Sequence, residues 1–60
     1  MDHYVIAKRK ADGGLLYLHR RATENYFGDA DGAEPFETRE QAKHAAQFHQ
    51  GAFVVRVIGA

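Results

Sequence analysis

The sequence predicts a single α+β domain, residues 1–60, of order ββαβ: a three-stranded antiparallel sheet, strand order 2-1-3, with one helix packed on one face. Three observations predict it. Two β-rich runs flank Asp12-Gly13-Gly14, a capping box opens an alanine-rich stretch, and a third β-rich run closes the chain. At 60 residues, 45% hydrophobic and 27% charged, the composition is that of an ordinary globular chain with room for one core.

The first strand is read from His3 to Lys10, where β-branched and aromatic residues mix with polar ones. Asp12-Gly13 supplies a two-residue turn, and Leu15 to Arg21 is the return strand. That turn sets Arg9 against Leu16, Ala7 against Leu18 and Val5 against Arg20, with Tyr4, Ile6, Lys8, Tyr17, His19 and Arg21 on the opposite face. A slip of one residue would exchange these partners. From Ala22 to Pro35 periodicity is lost and Gly28, Gly32, Pro35 and most of the acids collect, which is loop composition. Tyr26 and Phe27 interrupt this loop, and one ring is expected to plug the edge of the core.

Thr38-Arg39-Glu40-Gln41 fits a capping box, with Thr38 accepting from the N3 amide and Gln41 reaching back to the Thr38 amide. Glu37 and Glu40 stand where the helix dipole favours negative charge. On a helical wheel Ala42, Ala45, Ala46 and His49 fall together, with Phe48 and Ala52 widening the stripe, and Gly51 is placed to end the helix. In the last strand, Phe53 to Ile58, Phe53, Val55 and Val57 share one face and Val54, Arg56 and Ile58 the other. Placed beside the first strand, it makes all neighbours antiparallel. One helix covers one face, so the other is expected to show Tyr4, Ile6, Tyr17, Val54 and Ile58 among Lys8, His19, Arg21 and Arg56.

Chemistry is restricted by what is missing. The chain has no Cys and no Ser, which excludes disulfides, thiolate zinc sites and Cys or Ser nucleophiles. No paired acid and base form a recognisable constellation, so a non-enzyme without a cofactor is expected. His44 and His49 lie five apart, about 140° around a helix, and do not share a ligand face. Asp29-Ala30-Asp31-Gly32 resembles part of a calcium loop, but Phe27 and Thr38 fall where carboxylates are needed; a solvated turn is the expectation and no metal is assigned. No apolar run has the length of a membrane span, and the start lacks a basic segment followed by an apolar one, so a cytoplasmic protein is expected.

The net charge of zero is a cancellation between segments. Residues 1–21 carry +3, residues 22–40 carry −5, and the remainder +2. Two binding surfaces follow. Glu24, Asp29, Asp31, Glu34, Glu37 and Glu40 put carboxylates in a loop and the first helical turn, a spacing that can imitate a row of phosphates and meet a basic groove, with Tyr26 or Phe27 as an apolar anchor. Alternatively Lys8, Arg9, Lys10, Arg20 and Arg21 bracket the hairpin, and Tyr4 and Tyr17 beside Lys8 and Arg21 could stack single-stranded bases. Each surface also has a plain reading, as a solvated loop and as a solvated hairpin.

The Gly-Gly hairpin, the Pro35-Phe36-x-Thr38-x-x-x-Ala42 entry to an alanine-rich helix and the closing Val54-Val55-Arg56-Val57 strand resemble the short accessory proteins of bacteriophages and prophages. In size and charge pattern the chain is similar to anti-CRISPR proteins. The resemblance implies a cytoplasmic inhibitor in a bacterial host cell, bound to a host protein or ribonucleoprotein complex such as a CRISPR effector. The expectation is therefore a non-catalytic protein-binding module, monomeric or homodimeric, acting through the acidic segment. The alternatives are a nucleic-acid-binding module using the basic hairpin, and a structural or assembly protein.

Overall fold

A computed structural model describes residues 2–21 and 24–59, with the side chain of Arg21 outside the description. The order is β1 (His3–Arg9), β2 (Leu15–Arg21), β3 (Glu24–Gly28), α1 (Arg39–Ala46) and β4 (Ala52–Val57). The sheet has four antiparallel strands in the order β3-β2-β1-β4, so the expected 2-1-3 neighbours are present and one strand more. That strand, β3, replaces part of the expected loop. Tyr26-Phe27 is a short β-forming pair among polar residues, and it pairs all along β2, from Arg21 opposite Glu24 to Tyr17 opposite Gly28.

The hairpin register differs by one residue from the two-residue turn. Ala11 joins the turn, the Gly13 amide donates to the Lys10 carbonyl, and the Lys10 amide donates to the Gly14 carbonyl at 2.7 Å. Gly13 takes φ +95°, and the Asp12 carboxylate accepts from the Gly14 amide at 2.9 Å. A three-residue loop of this kind sets Ala7 opposite Tyr17 and Lys8 opposite Leu16. The shift carries the described β2 side chains to the other face. Tyr4, Ile6, Lys8, Leu16 and Leu18 now face α1, while Val5, Ala7, Tyr17 and His19 lie on the far side. The expected composition of the open face is corrected accordingly: Ile6, Tyr4 and Val54 belong to the core, and Phe53, Val55 and Val57 lie opposite.

Burial explains why this register wins. Ile6 and Leu18, the largest fully buried side chains, close on Ala42 and Ala46 of α1, with Tyr4, Phe27, Phe36 and Val54 packed around them. The alternative register would separate Ile6 from Leu18. Phe27 plugs the core edge as expected of one ring in its pair.

The Gln41 amide donates to the Thr38 hydroxyl at 3.1 Å, and Thr38 is extended, as an N-cap requires. Such a cap contributes about 1 kcal/mol. The helix ends at Ala46, earlier than expected. The Phe48 and His49 amides bond back to Ala45 and Ala46, tightening the last turn, and Gly51 at φ +82° turns the chain into β4 instead of capping α1. Phe48 is 73% exposed, outside the core stripe, with His44 edge-on to its ring.

The β1–β2 ladder pairs only the turn-proximal residues, through Ala7 and Tyr17. Below that point the strands part, and Glu34–Phe36 occupies the fork. The Glu34 amide donates to the Leu18 carbonyl at 2.9 Å, while Tyr4 and Phe36 exchange backbone hydrogen bonds at 2.9 and 2.8 Å. The chain thus passes from the open face, where Ala30–Ala33 lie, through the fork to the helix side, where Phe36 joins the core.

Arg56 and Asp2 tie the end of β4 to the start of β1, with Arg56 Nε donating to the Asp2 carboxylate at 3.0 Å. The hydrogen bond from Arg56 holds the Asp2 carboxyl below its ordinary value of 3.8, and the same contact raises Arg56. A carboxyl lowered by folding stabilises above the unfolded value and loses that contribution as pH falls through the folded one. Asp2→Asn is therefore expected to lower the urea midpoint at pH 6, with the difference from the parent chain vanishing as pH drops below 3.8. A constant difference down to pH 2 would show that the pair is not what the substitution removes.

Candidate functional site

Alternation along β3 sends its two aromatic side chains to opposite faces. Phe27 goes inward, with Lys8 Nζ 4.7 Å above its ring and His49 edge-on at 5.4 Å. Tyr26 goes to the open face, 44% exposed, and stacks on His19 at 4.9 Å between ring centroids. Of the two rings, Tyr26 is the exposed one.

His19 is the organising residue of the acidic segment. It is buried, and its Nε2 lies 2.6 Å from the Asp29 carbonyl oxygen. A carbonyl only accepts, so Nε2 carries the proton in this contact. Gly28 and Gly32 lie close against the ring: a Cβ at either would stand 3.5 or 3.4 Å from it, in van der Waals contact. Gly32 has φ +87°, and the Ala33 amide closes the turn onto the Ala30 carbonyl. Asp29–Ala33 is therefore a turn wrapped on an imidazole, pinned behind it by Glu34 and Phe36. The sequence carries a faint sign of this, since two glycines four apart bracket the acidic turn. Only the observed register brings His19 to them.

The loop and the open face enclose a cleft of about 360 Å³. Its floor is Val5, Val55 and Val57, and His3, Tyr17 and Asp31 rim it. A second groove, about 620 Å³, runs between Asp2-His3 and Pro35–Thr38, with Glu37 on its wall. His3 belongs to both, so Asp31 and Glu37 border adjoining hollows at one end of the sheet. Asp29 is exposed on the same loop and Glu40 in the first turn of α1. Glu34 is half-buried in the fork, and Glu24 lies on the edge strand β3, apart from the loop. The structure thus groups Asp29 with Asp31 on the loop and sets Glu37 on the adjoining groove, but it does not form one row from all six acids.

The basic hairpin is divided. Lys8 lies over Phe27 on the helix side, Arg9 is on the other face, and Lys10 pairs with Asp12 at 3.8 Å. Tyr4 packs on the core while Tyr17 rims the cleft, so the expected shared stacking face of Tyr4, Tyr17 and Lys8 is not formed. Arg20 is exposed; the Arg21 side chain lies outside the described residues. Among the described residues, no helix is long and apolar enough to cross a membrane. Compared with protein families, with curated proteins and with solved structures, the chain finds no match.

Proposed function

We propose that the protein is a non-catalytic protein-binding module, an inhibitor of the phage type that docks on a basic surface of a host nucleic-acid-handling complex, as several anti-CRISPR proteins do. Asp29 and Asp31 make the charged contact, Glu37 and Glu40 extend it, and Tyr26 supplies the apolar one. The observation that supports this reading is the anchored loop. A carboxylate pair on a free loop would lose conformational entropy on binding, whereas this loop is already held by His19, Leu18 and Tyr4. Carboxylates fixed in place steer a basic partner and are screened by salt.

The test is affinity capture from nuclease-treated bacterial lysate with tagged parent chain and with Asp29→Lys/Asp31→Lys, circular dichroism confirming that both are folded. The expected result is a defined nucleic-acid-handling complex on the parent chain at low salt, released by high salt and absent from the variant. Equal recovery by both chains would sink the acidic-loop reading.

A further inference from the structure

We infer that β4 is the contact strand of a homodimer, pairing antiparallel with β4 of a second copy across a two-fold axis at Val55, so that two sheets join into one of eight strands. Tyr4 exchanges both its hydrogen bonds with Phe36, so its amide and carbonyl point away from β4. By alternation, His3, Val5 and Ala7 are the β1 residues that bond to β4, and their partners Val57, Val55 and Phe53 point inward. The amides and carbonyls of Val54 and Arg56 therefore point outward. Among the described residues they have no backbone partner.

The two edges of the sheet are unlike. β3 is short and begins with exposed Glu24 and Asn25, devices that discourage pairing. β4 is Ala-Phe-Val-Val-Arg-Val, without Pro or Lys, and its one charge is neutralised by Asp2. Exposed Ile58 follows it.

A second copy fits this edge by symmetry. With the axis perpendicular to the sheet, opposite residues must share a face, so their numbers must have an even sum. Centring on Val55 sets Val54 against the copy's Arg56, Phe53 against Val57, and Ala52 against Ile58. Every outward group of Val54 and Arg56 then finds a partner, and no two like charges stand opposite. A chain of zero net charge has no long-range repulsion against its own copy. Sixty residues without a disulfide also form the kind of domain that gains most from association. This contact does not depend on the acidic loop.

The native absence of Cys makes the test clean. A central non-hydrogen-bonded pair has Cα atoms about 4.5 Å apart, within disulfide range. Val55→Cys is expected to cross-link to its copy under mild copper-phenanthroline oxidation at least about tenfold faster than Ile58→Cys, whose copies would lie roughly 20 Å apart at about 3.4 Å per residue. Ile58 is the more exposed residue, so exposure alone predicts the opposite order. Sedimentation equilibrium of the parent chain should give twice the monomer mass. A monomer at all concentrations, or faster cross-linking at position 58, would overturn the inference; a dimer that cross-links at position 55 supports it whether or not the acidic-loop reading survives.

Discussion

Ile6→Ala is expected to lower stability by about 3 kcal/mol, the usual cost of emptying a fully buried aliphatic site. Ile6 is 0% exposed, and it meets Leu18 and the two buried alanines of α1 at the point where sheet and helix touch. A domain of this length has only roughly 3–9 kcal/mol in total, so the variant should lose between about a third and all of its stability. At a urea dependence of about 1 kcal/mol per molar, the midpoint should fall by about 3 M, measured by circular dichroism at one fixed protein concentration. Phe48→Ala, at a residue 73% exposed, serves as the comparison and should change stability by less than about 1 kcal/mol. Equal effects at the two positions would mean that the core is not centred where Ile6 lies.

Gly32→Val is expected to be the next most damaging change, and it reports on the anchored loop. Two glycines have nearly the same backbone: Gly13 at φ +95° and Gly32 at φ +87°. A β-branched residue in that region costs about 1–2 kcal/mol wherever it occurs. At Gly13 the added Cβ meets nothing within 4 Å, whereas at Gly32 it meets the His19 ring at 3.4 Å. Gly32→Val should therefore exceed Gly13→Val by about 1 kcal/mol in denaturation and should also shift the amide resonances of Asp29 to Ala33. Equal costs at the two sites would show that the His19 ring yields to the added methyl groups.

Much of the fold was legible because local chemistry and tertiary structure agree. Thr38 with Gln41 names the helix start, the Ala42-Ala45-Ala46 stripe names the helix and its buried side, and the alternation in Phe53 to Val57 names a strand but not which of its faces meets the helix. β3 was not legible, since Glu24 and Asn25 look like loop residues until an edge strand is considered, where polar residues are favoured. The hairpin register was hidden by a single residue, Ala11, which carries no turn signal and is drawn into the turn by the packing of Ile6 on Leu18. The acidic pair Asp29 and Asp31 was visible as charge. Its anchor, His19, was not, because a histidine on an alternating strand announces neither its face nor the two distant glycines it packs against.

The segment in the fork also decides where this protein can be altered. Connecting loops are ordinarily the places where a domain accepts extra residues or a fused partner. Here Asp29 to Phe36 is clamped at Asp29, Glu34 and Phe36 and completes the sheet beside β1, so a longer version would have to leave its seat. The tip of the first hairpin, with open space around Gly13, is the better point at which to graft a label or a second domain.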